Sequence, residues 1–206
     1  MIYPVRLYGD PVLRKVARPV TEFGDELKEL AEAMVETMYE HNGVGLAGPQ
    51  IGLPERLFVA AETDKAEDEE AEELPPPQTR EEKRQRWGVV KEHVMVNPEI
   101  LRREGNQTGF DGCLSLPGLY VDDMERDFEV SVRYQDVQGE WHELDASGHF
   151  AWVIQHEYDH LEGVLFLDRM SEARRRAFMG EHRSELAQMQ RDAKAMLKDL
   201  KGSPTF

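Results

Sequence analysis

The sequence predicts one domain that mixes helices with antiparallel strands, and three stretches predict it. Leu27, Leu30, Ala31, Met34, Val35 and Met38 recur at helical spacing through residues 25–42, an apolar stripe along one side of a helix. Residues 128–134 alternate strictly, and a turn at Gln138-Gly139 leads into a second strand at 140–144, which together read as a hairpin. Gln155-His156-Glu157-Tyr158-Asp159-His160-Leu161-Glu162-Gly163 contains His-Glu-x-x-His, whose histidines at i and i+4 lie on the same face of a helix.

A chain of 206 residues fits a single core with at most an appendage. Its 40% hydrophobic and 32% charged residues are ordinary for a soluble globular protein. The net charge of −16 argues against nucleic acid as the main ligand. Much of that charge is local, since Glu62 to Glu73 holds eight acids and one lysine. The single cysteine, Cys113, excludes an intrachain disulfide and suits a reducing compartment. The N-terminus has no apolar core of a signal peptide, and no window approaches 18 apolar residues. The expectation is a soluble, cytoplasmic protein that makes no membrane contact.

Taken in order, Asp10 caps a short helical turn that begins at Pro11, and the 25–42 helix ends at Asn42-Gly43. Gly43-Val44-Gly45-Leu46-Ala47-Gly48-Pro49-Gln50 follows. Its three glycines allow a close backbone approach, either as a tight connection or beside a ligand, and Gln50 ends it with an amide free to donate. Residues 57–61 read as a strand. The acidic, proline-rich stretch 62–78 reads as a solvated insertion. A capping box at Thr79–Glu82 starts a short charged helix to about Trp87, and the whole 62–88 excursion reads as a loop without chemistry. Residues 89–96 return to strand composition before Asn97-Pro98. Residues 171–201 form a long terminal helix with Phe178, Leu186, Met189, Ala193, Leu197 and Leu200 on one side. Arg174, Arg175 and Arg176 are its densest basic patch, read first as a solvated face.

The helix motif carries chemistry. His156 and His160 reach one metal ion, and Glu157 lies beside them, close enough to handle a proton of water there. Cys113 is either a buried structural thiol or a third ligand. As a ligand it completes a Cys/His/His set with a fourth position open, the pattern of a catalytic site. His149, Trp152 and Val153 lie seven, four and three residues before His156 on its face. They either wall a substrate pocket or belong to the core.

Three separated motifs resemble the peptide deformylase family in order and content: Gly43 to Gln50, Gly112-Cys113-Leu114-Ser115, and Gln155 to His160. The resemblance covers roughly residues 1–170 apart from the insertion, with 171–206 as a C-terminal helix and tail. It implies an α+β fold with antiparallel β-sheets packed around a central metal-binding helix. It also implies removal of the formyl group from the N-terminal methionine of nascent polypeptides. By the same resemblance Cys113, His156 and His160 hold one divalent metal, Fe(II) natively with Zn, Ni or Co as substitutes. Glu157 is then general base and acid, and Gln50 and the Leu114 N–H form the oxyanion hole. The peptide pairs with Val44, Gly45 and Leu46, and the methionine enters a pocket near Val44, Trp152 and Val153. The terminal basic helix would meet the ribosome.

The chain departs from the family pattern at Gly48, where alanine is usual, which is expected to loosen the loop that positions Gln50. It departs at Asp111, where glutamate is usual, with Arg126 as the partner, and at Tyr120, where arginine is common. Two rivals remain at this level. A zinc endopeptidase would need a third ligand downstream of the helix, and a metal-binding module without catalysis would tolerate replacement of Gln50 or Glu157.

Overall fold

The computed structural model describes residues 1–64 and 75–202. Seven strands form two antiparallel sheets: β1 (Gly45–Ala47), β2 (Leu57–Thr63), β3 (Val89–Glu104), β6 (Glu129–Gln135) and β7 (Trp141–Ser147) in that order, and β4 (Gln107–Gly112) with β5 (Tyr120–Arg126) as a separate ribbon. The helices are α1 (Asp25–Glu40), α2 (Arg80–Trp87), α3 (Gly148–Leu161), α4 (Glu172–Glu181) and α5 (Arg183–Gly202). The α+β arrangement around α3, with a C-terminal helix, is the one expected.

α3 is buried on nearly every side and divides the core. Phe150, Ala151, Val153 and Ile154 pack on Phe58, Ala60 and Met95 of the large sheet. On its other side Trp152 joins Cys113, Leu116, Leu13, Phe166, Phe178, Leu186 and Met189. A third cluster seats α1 on β2, through Met34, Val35, Met38, Leu57 and Val59. A helix buried on nearly every side belongs in the middle of a fold, so its two buried histidines and two acids must find partners there.

Several expectations change in detail. β3 does not stop before Asn97-Pro98 but runs on to Glu104. It passes the proline at a shift of register against β6, where Asn97 adopts φ 49° and its side chain bonds Val20 and Gln135. The β4–β5 ribbon is not among the elements expected. The terminal helix is broken at His182, two residues after Gly180, where the His182 ring lies on Phe178. Leu186, Met189 and Ala193 of its stripe are buried, whereas Leu200 is exposed. Of the 62–88 excursion, Glu62 and Thr63 finish β2 and residues 65–74 lie outside the described residues. The capped helix at Arg80–Trp87 is present and does not stand in solvent. Lys83 is buried, and Trp87 stacks on Tyr39 of α1.

Candidate active site

The site forms where α3, β4 and the 43–50 segment meet. Cys113 Sγ, His156 and His160 each offer a ligand atom, all within 4.8 Å of one another and all buried. His160 Nε2 lies 3.3 Å from the sulfur. Tetrahedral ligands at ordinary N and S bond lengths stand about 3.3–3.8 Å apart, so the donor set needs little adjustment to close on one ion. Behind His156, Asp111 Oδ1 accepts from Nδ1 at 2.8 Å, which turns Nε2 toward the sulfur. The two histidines differ in charge preference. Burial opposes the cation of His156, but the Asp111 and Cys113 partners raise its pKa well above an ordinary imidazole. Burial and the neighbouring His156 hold His160 neutral, its pKa well lowered.

Asp111 is itself gripped by Arg126, whose Nε and Nη2 donate to Oδ2 at 3.1 and 2.9 Å. Burial works against its charge, yet His156 and Arg126 hold its pKa down to about 2. The shorter acid thus keeps the contact expected of the usual glutamate. Arg126 Nη1 also donates to Asp159 Oδ2 at 3.0 Å, and Asp159 accepts from Arg169 at 2.5 Å. Asp159 and Arg169 escaped the sequence reading. The available signal was a charged residue on an otherwise buried helix, which requires a counterion.

Glu157 lies beside the ligands, 4% exposed, with Oε2 lacking a hydrogen-bond partner among the described residues. Burial pushes its pKa up to about 7. Its other oxygen touches Gly45, where a Cβ would collide with the carboxylate, so glycine here is a steric requirement of the Glu157 position. Gln50 is buried with its amide oriented: Oε1 accepts from Ala47 N–H at 2.8 Å, and Nε2 points to Cys113 Sγ (3.5 Å) and Ser115 Oγ (3.4 Å). Ser115, also not singled out from sequence, donates its N–H to the Cys113 sulfur at 3.4 Å. Leu114 sits against Gly43, whose missing Cβ would lie 2.8 Å from Leu114 Cδ1. Gly48 opens the short 3-10 turn that carries Gln50. Its surroundings are closed, since a Cβ would lie 2.7 Å from the Glu55 carbonyl and 3.1 Å from that of Leu53.

The remaining sequence candidates are spread out. Val44 packs with the sheet-side cluster that contains Val153, and Leu46 is buried. Trp152 lies on the Cys113 side with Arg126 5.5 Å over its ring. His149 stands at the exposed start of α3, its Nδ1 3.4 Å from Thr63 Oγ1. Tyr120 is exposed, stacks on Phe110, and its ring covers Gly112, next to Cys113.

A buried Cys/His/His donor set with an adjacent acid, on a central helix wrapped by antiparallel sheets, defines the class as a metal-dependent hydrolase. The polypeptide deformylase family model matches residues 2–176, and the chain belongs to this family. A peptide deformylase of Thermus thermophilus is 49% identical over 200 residues, covering 97% of this chain and 98% of its own. The crystal structure of a peptide deformylase from Thermus thermophilus matches with a TM-score of 0.79 at 45% identity, covering 93% of this chain and 99% of that one. A Met-Ala-Ser-bound class I type b peptide deformylase from Acinetobacter baumannii matches with a TM-score of 0.69 at 35% identity, over 82% of this chain and 99% of its own. Like its relatives, this metal-dependent hydrolase removes the formyl group from nascent polypeptides and releases formate.

Proposed function

We propose that Cys113, His156 and His160 hold the metal, that Glu157 moves the proton, and that Gln50 and the Leu114 N–H receive the developing oxyanion. The observation that carries this reading is the convergence of all three ligand atoms beside a buried, otherwise unpartnered carboxylate oxygen. When bound, a divalent ion supplies Lewis acidity and lowers the pKa of water in the open position. Glu157 takes a proton from the attacking water as a C–O bond forms to the formyl carbon. Burial raises its pKa to about 7 in the metal-free site, the direction that favours a group able to both accept and return a proton near neutrality. Gln50 Nε2, held by the Ala47 contact to Oε1, faces the oxygen that gains charge. Such a donor contributes about 3 kcal/mol. The C–N bond to the methionine nitrogen then breaks, Glu157 protonates the amine, and formate leaves.

The peptide adds to the open edge of β1 as an extended strand along Val44, Gly45 and Leu46. Val44, Trp152 and Val153 border the methionine side chain, with His149 at the outer end of the same helix face. The Met-Ala-Ser ligand of the Acinetobacter relative is consistent with such a substrate. Thiolate with two imidazoles suits Fe(II), Zn, Co or Ni, and Fe(II) is our native assignment. Iron-loaded enzyme is then expected to lose activity in air, and unchanged aerobic activity over days would count against iron.

The working place is the cytoplasm, where nascent chains emerge, with residues 171–206 as the ribosome-facing unit. No helix among the described residues is long and apolar enough to cross a membrane. The three arginines of α4 are already engaged, Arg174 with Asp123, Arg175 with Asp168 and Arg176 with Glu172. Ribosome contact through them would exchange these exposed pairs for phosphates. Neutralising all three should weaken cosedimentation in a salt-sensitive way, and an unchanged pellet would end that role. The main test is formate release from formyl-Met-Ala-Ser by anaerobically purified enzyme beside Glu157→Gln. The variant is expected to bind one metal and release no formate, and turnover by it would refute the base.

A further inference from the structure

We infer that α2, the helix inside the excursion between β2 and β3, braces the substrate edge of the sheet, and that Lys83 is its positioning residue. The inference rests on the deformylase reading and adds a part to it. Lys83 is 5% exposed, and its Nζ donates to the carbonyl oxygen of Tyr39 at 2.5 Å. That carbonyl is one of the last in α1, where the helix dipole presents negative charge and a cation stabilises the end. The side chains around it fix α2 in place. Trp87 stacks on Tyr39 with ring centroids 5.8 Å apart, and Arg80 bonds Glu32 and Glu36 of α1 at 2.5 and 2.7 Å. Arg80 and Arg84 also pair with Glu92 of β3, which accepts from the Tyr39 hydroxyl at 2.9 Å.

The end of α1 leads directly into the active site. Asn42 turns the chain at φ 57°, and the Gly43 N–H bonds back to Met38 O at 2.9 Å. Gly43 then meets Leu114, Val44 O accepts from Ala61 N–H, and Gly45 lies on the Glu157 carboxylate. Only the turn at His41 and Asn42 separates the α1 end from this segment, and close contacts on both sides leave it no independent freedom. Movement of the α1 end therefore displaces β1, the strand that the peptide joins. The metal ligands sit on α3 and just after β4, off this lever, and Glu157, although its carboxylate lies against Gly45, is carried by the buried α3. The brace thus acts on substrate binding more than on the chemical step.

The test is steady-state kinetics of metal-loaded Lys83→Met on formyl-Met-Ala-Ser, with amide hydrogen exchange across residues 43–47. KM is expected to rise about fivefold or more with kcat within about twofold, metal content unchanged, and exchange at 43–47 faster. Trp87→Leu, which loosens α2 without touching the Tyr39 carbonyl, should move KM in the same direction. If both variants melt earlier yet keep wild-type KM and exchange, α2 only adds stability and the inference is wrong. A fall in kcat alone would overturn it equally. Absence of formate release from wild type in the same assay would instead strike the deformylase reading.

Discussion

Two arginine–carboxylate networks hold this enzyme together, and their surroundings differ sharply. Behind the ligands, Arg126 is 7% exposed and touches Asp111 and Asp159, both below 5%. On the back of α1, Arg80 and Arg84 meet Glu32, Glu36 and Glu92 with side chains that remain partly open to water. Both networks are made of the same groups at similar distances. In the first, each charge has lost its water and depends wholly on its partner. In the second, solvent replaces whatever is lost. The buried network can therefore orient His156, at the risk of collapse if one member goes. The half-exposed one can hold a helix in place while tolerating change.

Removing the central cation should give the largest effect. Arg126→Met leaves two buried carboxylates short of a partner and is expected to cost about 3–5 kcal/mol. Denaturant melts would measure it, and metal content should fall as Asp111 loses its hold on His156. A cost below about 1 kcal/mol would mean that water reaches Asp111 and that the contrast is false.

Acid should give the next largest effect. Asp111 has a folded pKa of about 2, below that of an unfolded carboxyl. Its contribution is fully present above about pH 4 and is lost as pH falls toward 2, about 2 kcal/mol in the metal-free protein. In Arg126→Met the Asp111 pKa rises toward its unfolded value, so the acid-dependent loss should shrink and be complete at a higher pH. Identical acid profiles for the two proteins would place the stabilisation elsewhere.

The sequence exposed the candidate site better than its supports. His156, Glu157 and His160 share one helix, so their juxtaposition follows from helical spacing alone, and Cys113 and Gln50 sit in short motifs of unusual composition. The β4–β5 ribbon was illegible because Gly109 and Gly112 lower its strand propensity, although Gly112 is required under the Tyr120 ring. Pro98 hid the length of β3, since only a register shift lets a strand pass a proline. α2 was legible as a helix from its capping box but not as a packed one. Its docking uses charges that meet partners 44 to 48 residues away, a separation that no local pattern displays.

The smallest effect is expected where the networks reach open solvent, and it sharpens the contrast most economically. Arg80→Gln removes contacts to three acids, yet Glu32 and Glu36 are well exposed and regain water at once. Glu92 keeps Arg84 and the Tyr39 hydroxyl. Lys83 and Trp87 continue to seat α2. A stability loss of at most about 1 kcal/mol in a thermal melt is expected, shrinking further at high salt. Active-site geometry should be unaffected, because the α1 end remains capped. A loss above about 2 kcal/mol that persists at about 1 M salt would show that the exposed network behaves like the buried one. Exposure would then no longer distinguish the group that orients a ligand from the group that pins a helix.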